Sequence, residues 1–220
     1  MGWSSILKSL LTVSVLSILT VCSVESSTCI EASCPNGTCP TGSTCSSPSG
    51  CFSLIQQLQT PPPNTNLRLV EKGCVSNQNP CALEFSATLG NQQKFRYQRQ
   101  CCTTEQCNKV DPTLSTLSSE ANGVECPACY NDKTNTCPTT TPLKCTGEEK
   151  RCIEVTSRDS SSNNVVLYGK GCATEKACAL NMTVFQTIQV KTSCTPANGS
   201  PALKSIALLP VILLLQKVLL

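Results

Sequence analysis

Histidine is missing from all 220 residues. Hydrolysis by a histidine-activated nucleophile is therefore excluded, and the commonest nitrogen ligand for zinc is absent. Aromatic residues are scarce, at 4%, and large apolar side chains are too few to fill an ordinary core. No apolar run reaches the length of a membrane-spanning helix. No Gly-rich phosphate loop occurs. Helical periodicity is lacking over the cysteine-bearing stretches, which leaves short strands and turns.

What the chain does have is 19 cysteines. That density in a chain of modest size signals a disulfide scaffold made in an oxidising compartment, where disulfides at about 2–4 kcal/mol each supply the stability that the core lacks. The odd count is resolved by the N-terminus. Residues 1–23 read as a secretory leader, with Lys8 as the positive segment, Leu10 to Val21 as the apolar segment and Val21-Cys22-Ser23 at the cleavage site. Loss of Cys22 leaves eighteen cysteines, an even number.

The other end, Ile206 to Leu220, is apolar but broken by Pro210 and Lys217. The small residues Asn198-Gly199-Ser200 lie upstream. Together they read as a glycosylphosphatidylinositol (GPI) attachment signal with Asn198 as the attachment residue and 199–220 as the propeptide. Two other readings stay open: Asn198-Gly199-Ser200 is also a glycosylation sequon, and the tail is also compatible with a short transmembrane stub. Of the 17 basic residues, Lys8, Lys204 and Lys217 fall in the segments expected to be removed, leaving 14 against 14 acidic ones. A balanced mature chain gives no argument for nucleic acid or for an anionic membrane surface.

Between the ends lie two cysteine clusters, Cys29 to Cys107 and Cys126 to Cys194. The stretch 109–125 carries no cysteine, is rich in Ser and Thr, and reads as a linker. The clusters repeat each other. Leu67-Arg68-Leu69-Val70-Glu71-Lys72-Gly73-Cys74 matches Val165-Val166-Leu167-Tyr168-Gly169-Lys170-Gly171-Cys172, and Cys81-Ala82-Leu83 matches Cys178-Ala179-Leu180. These segments read as strands, as does Lys94 to Gln100, with Phe95 and Tyr97 on one face and Lys94 and Arg96 on the other. Thr60-Pro61-Pro62-Pro63-Asn64, Leu89-Gly90-Asn91 and 158–164 read as turns.

The first cluster ends Cys101-Cys102-Thr103-Thr104-Glu105-Gln106-Cys107-Asn108. Adjacent half-cystines on a strand point opposite ways and take different partners. Ten cysteines closing in this pattern, with Lys-Gly-Cys ahead of the seventh, resemble the three-finger domain of the UPAR/Ly-6 family. The resemblance covers both clusters, and the two-domain, lipid-anchored bone-protein type of rodents is the subgroup the layout looks most like. It implies an all-β, disulfide-rich fold of two tandem three-finger domains, at 29–108 and 126–195. It also implies the pairing Cys29–Cys51, Cys34–Cys39, Cys45–Cys74, Cys81–Cys101 and Cys102–Cys107 in the first. In the second it implies Cys126–Cys152, Cys129–Cys137, Cys145–Cys172 and Cys178–Cys194. The second domain departs from the pattern: Thr195-Pro196-Ala197 stands where the ninth and tenth cysteines and the closing asparagine would be.

The remaining motifs are weighed against plain structural roles. Cys126-Pro127-Ala128-Cys129 has redox spacing, but no thioredoxin-like βαβ pattern surrounds it and the scaffold needs both residues. It fails as a zinc half-site for want of further ligands. Glu148 and Glu149 read as a solvated loop face. Asn36-Gly37-Thr38 and Asn181-Met182-Thr183 are sequons, so Asn36 and Asn181 are candidate N-glycosylation sites. Lys94, Arg96 and Arg99 are the one basic cluster on an expected finger, either a solvated face or a contact for an acidic partner. The resemblance implies an extracellular, non-enzymatic protein without cofactor or metal, held on the outer leaflet through GPI. It would bind a protein ligand or receptor through its finger loops. A soluble inhibitor of the two-domain phospholipase A2 inhibitor type is the alternative.

Overall fold

The computed structural model describes residues 26–37, 39, 42–61, 66–76 and 81–195. The first module contains β1 (Ser27–Pro35), β2 (Ser43–Ser47), β3 (Cys51–Gln59), β4 (Leu67–Cys74), β5 (Leu83–Leu89) and β6 (Lys94–Cys102). The second contains β7 (Ala121–Asn131), β8 (Thr141–Thr146), β9 (Arg151–Asp159), β10 (Val165–Ala173), β11 (Asn181–Val184) and β12 (Ile188–Thr195). Each module is three antiparallel hairpins: β1–β2, β3–β4 and β5–β6, then β7–β8, β9–β10 and β11–β12. The expected all-β, two-module architecture is the one observed. β7 begins at Ala121, so the last five positions of the stretch read as linker are strand.

The disulfides are Cys29–Cys51, Cys34–Cys39, Cys45–Cys74, Cys81–Cys101 and Cys102–Cys107 in the first module. In the second they are Cys126–Cys152, Cys129–Cys137, Cys145–Cys172 and Cys178–Cys194. Strand register explains their crowding. Cys51 faces both Cys74 and Cys102 across its two neighbours, and Cys29 faces Cys45. Half-cystines therefore meet at one end of the sheet, and the hairpins run away from that knot as fingers.

The two modules are one sheet. Its path runs β11-β12-β9-β10-β5-β6-β3-β4-β1-β2, with β7 and β8 branching from β10. The link is β10. Its middle, Tyr168 to Lys170, pairs with β7 of its own module, while Gly171, Cys172 and Ala173 pair with Leu89, Thr88 and Ala87 of β5. The main core follows the link: Leu54, Phe85, Leu89 and Tyr97 from the first module pack with Ile153, Val155 and Ala173 from the second. Each module alone is short of large apolar residues. Sharing one core buries more apolar surface than two separate small cores would.

The connection between modules is fastened rather than free. The Lys72 ammonium is buried against Asp111 at 2.5 Å and donates to the Lys109 carbonyl at 2.7 Å. Leu114 packs on Cys34, Ile55 and Val70. The Ser115 hydroxyl donates to Glu84 at 2.9 Å, and the Arg96 guanidinium donates to the Ser115 carbonyl.

Candidate binding surface

The third fingers clasp each other's module. In the first module the tip between β5 and β6 lies on the second: a Cβ added at Gly90 would fall 2.4 Å from the Cys129 backbone. In the second module the tip is Phe185-Gln186, held with φ of 46° and 67°. That left-handed backbone is costly for residues bearing a Cβ. Packing on the first module offsets it. The Phe185 N–H donates to the Gln56 side-chain oxygen at 2.8 Å, and the Phe185 ring meets Phe95 edge-on at 5.9 Å. The Gln186 amide donates to the Ser33 hydroxyl and to the Glu71 carboxylate, both at 2.9 Å. Gln56 is a polar residue on a buried strand, and its contact with the other module accounts for it.

The basic cluster read as either a solvated face or a contact for an acidic partner is divided by this arrangement. Arg99 is only 5% exposed and lies over the Phe52 ring, 4.1 Å from its centroid. Arg96 is half-buried against 114–119, where burial lowers its pKa from the usual arginine value. Lys94 alone remains exposed. Position 99 has the parity of Phe95 and Tyr97, so the pleat turns it to the opposite face from Lys94.

Glu149, read as solvated, is 4% exposed. The Ser86 hydroxyl of the first module donates to it at 2.7 Å. Burial pushes its carboxyl above the ordinary glutamate range, while hydrogen bonds from Ser86 and Thr88 and the charges of Lys94 and Arg96 pull it back. Glu148 is exposed, as expected.

The tips of the second module's first and second fingers carry built turns. The Asp159 carboxylate accepts from the Ser161 N–H at 3.0 Å and the Ser162 N–H at 2.8 Å, and from both hydroxyls. These bonds hold its pKa down to about 2. The Asn131 side-chain oxygen likewise caps the Lys133 and Thr134 N–H groups beside Cys137. Asn36 is exposed at a turn with φ 56°, and Asn181 is exposed at the start of β11. Asn198 and most of the Pro61-Pro62-Pro63 tip lie outside the described residues.

All eighteen cysteines from Cys29 to Cys194 are in disulfides. Cys126 is bonded to Cys152 and Cys129 to Cys137, so neither offers the thiolate that redox or zinc chemistry requires.

A family model described as the u-PAR/Ly-6 domain matches residues 16–110 and 122–200. The chain belongs to the u-PAR/Ly-6 family. It is 41% identical over 207 residues to protein RoBo-1 of Rattus norvegicus, spanning 93% of this chain and 84% of that protein. It is 34% identical over 146 residues to the phospholipase A2 inhibitor 25 kDa subunit of Naja kaouthia, spanning 64% of this chain and 78% of that one. A third relative, phospholipase A2 inhibitor NAI of Notechis ater, is 30% identical over 138 residues, 60% of this chain and 68% of its own. The solved structure of mouse TEX101 aligns over 70% of this chain and 84% of its own, at 15% identity and a TM-score of 0.32.

Proposed function

We propose that this u-PAR/Ly-6 protein is a non-enzymatic, extracellular binding protein, GPI-anchored at Asn198, that engages a protein ligand or receptor through its finger loops. The observation that carries the reading is the clasp. It uses the third fingers to fix the modules, so the second module's loops at 131–137 and 159–164 hang from its disulfide knot in a fixed placement. Loops on a rigid scaffold suit recognition, because little order is lost on binding. The leader at 1–23, the domain limits at 29–108 and 126–195 and the propeptide at 199–220 belong to the same proposal. So does N-glycosylation at Asn36 and Asn181, both of which are exposed.

Two experiments test it. A phosphatidylinositol-specific phospholipase C should release the protein from intact cells; retention after treatment would end the anchor reading. For the loops, the disulfide-intact ectodomain should bind a surface partner, and replacing residues 160–164 and 132–136 with Gly and Ser should abolish that binding. Undiminished binding by the replaced form would end the loop reading.

The phospholipase A2 inhibitors among the relatives favour a second reading, a soluble inhibitor. Under it the protein accumulates in medium without lipase treatment and inhibits a secreted phospholipase A2 stoichiometrically.

A further inference from the structure

The connection between the modules has the composition of a flexible linker without the freedom of one. Asp111 is tied to Lys72, Pro112 is buried, Leu114 packs on the first module, and Ser115 is held by Glu84 and Arg96. Flexibility therefore does not account for its hydroxyls, Thr113, Ser115, Thr116, Ser118 and Ser119. We infer that this strap is O-glycosylated, with Thr113, Thr116 and Ser119 as the acceptors. O-glycosylation here presupposes export through the secretory route, as the proposed function has it, and is independent of the anchor and of the loops.

The hydroxyls fall into two sets. Ser115 donates to Glu84 at 2.9 Å, and Ser118 accepts from the Glu120 N–H at 3.2 Å. Thr113, Thr116 and Ser119 are exposed, and neither their side chains nor their backbone groups make a hydrogen bond among the described residues. Substituting such a hydroxyl breaks no internal bond. Residues 109–120 form neither helix nor strand. A transferring enzyme can therefore grip their backbone in extended form, which it could not do with a strand already paired in the sheet. Ser- and Thr-rich segments with proline are the composition that carries O-linked sugars on exported proteins, and Pro112 stands directly before Thr113.

The surroundings have room for a sugar. Thr116 and Ser119 border a cleft of about 640 Å³ between the modules, with Thr88 and Lys94 on one side and Thr146 and Lys176 on the other. The lining carries as many basic side chains as carboxylates. That balance suits a neutral group able both to donate and to accept hydrogen bonds. A phosphate would instead add about two negative charges, where Arg96 already donates to the Ser115 carbonyl and Lys150 already pairs with Glu148. In the transfer, the acceptor oxygen attacks the anomeric carbon of a nucleotide-activated N-acetylhexosamine. One C–O bond forms, and the bond from that carbon to the nucleoside diphosphate breaks. The diphosphate leaves with the bonding electrons, and the hydroxyl proton passes to the enzyme's base or to solvent.

The test expresses the full chain in mammalian cells. Protein exported to the surface and the medium is reduced, cut with trypsin and read by mass spectrometry. The peptide 110–133 lies between Lys109 and Thr134 and contains no N-glycosylation sequon, so any sugar on it is O-linked. It should carry N-acetylhexosamine, extended by hexose, and fragmentation should place the sugar on one or more of Thr113, Thr116 and Ser119. The combined variant Thr113→Ala, Thr116→Ala, Ser119→Ala should yield the bare peptide. A bare peptide from the exported natural protein overturns the inference, as does phosphate in place of sugar. Sugar confined to Ser115 and Ser118, or persisting on the combined variant, overturns it equally. Retention of the whole chain inside the cells would overturn the secretory reading, and this inference with it.

Discussion

The two modules share one plan and close it differently. In the first, Cys102 faces Cys51 at the end of β6 and bonds onward to Cys107. Asn108 follows, 1% exposed, and locks the closure. Its amide donates to the Ile30 carbonyl at 2.8 Å and the Phe52 carbonyl at 3.1 Å, and its oxygen accepts from the Ile30 N–H at 2.9 Å. One side chain thus ties β1 and β3 to the loop after β6. In the second module, Thr195 occupies the place of Cys102, facing Cys152 across β12 and β9. No covalent closure follows among the described residues. The second module is held from outside: β10 pairs with β5, the Ser86 N–H donates to the Thr174 hydroxyl and the Thr174 N–H to the Ser86 carbonyl. What the first module achieves with a disulfide and an asparagine, the second achieves with a neighbour. The difference predicts that the first folds alone and the second does not.

The sharpest way to break this comparison is at the junction. A Cβ on Gly171 would sit 2.0 Å from the Thr88 carbonyl oxygen, whereas one on the matching Gly73 meets only the edge of the Phe52 ring at 3.0 Å. Backbone cannot yield as a ring can. Gly171→Ala should cost upward of about 3 kcal/mol and abolish the single cooperative transition, leaving the second module melting first. Gly73→Ala should cost about 1 kcal/mol and leave one transition. Calorimetry of the two variants measures the contrast, and equal effects would mean that the junction does not hold the second module.

The internal closure ranks next. Asn108→Ala removes three hydrogen bonds and leaves two part-buried carbonyls and an N–H without that partner, a loss of about 2–3 kcal/mol. Replacing Cys102 with Thr and Cys107 with Ser gives the first module the second module's ending. The loop is short, so the loss should sit near the low end of the disulfide range, about 2 kcal/mol. Chemical denaturation measures both. If the cysteine pair costs more than the asparagine, the covalent bond and not the amide is the main lock.

The cysteine spacing and the internal repeat made the module plan readable from the chain alone. The strands were readable because their apolar residues alternate, and the 158–164 turn because Asp and Ser side chains bond their own backbone. The junction was not readable. Pairing of β5 with β10 joins residues more than eighty positions apart, and nothing local encodes it. One trace was present in the repeat: Gly169 stands where the first module has Glu71. In the structure a Cβ at Gly169 would come 2.8 Å from Leu89 of the other module, so the substitution marks a close approach. Gln56 and Glu149 were obscured for the same reason. Their polar partners belong to the other module, so local sequence made one a mismatch on an apolar strand and the other a loop charge.

The smallest expected effect tests whether that inter-module contact carries a titrating group. Glu149 is buried by the first module, and burial raises its pKa above the ordinary 4.5. A raised pKa means that the folded state holds the proton more tightly than the unfolded chain does. Its contribution to stability is therefore full below pH 4.5, declines as pH rises through the raised value, and is lost above it. Gln mimics the protonated form and keeps an oxygen for the Ser86 hydroxyl. Glu149→Gln should match the natural protein in stability near pH 4. At pH 7.5 it should exceed it, with the difference growing across that interval. Glu148→Gln, on the exposed neighbour, should show no such difference at either pH. Thermal denaturation at a series of pH values decides the matter: a Glu149→Gln protein less stable than the natural one at pH 7.5 would mean that Lys94 and Arg96 outweigh the burial, and that the junction is held by charge.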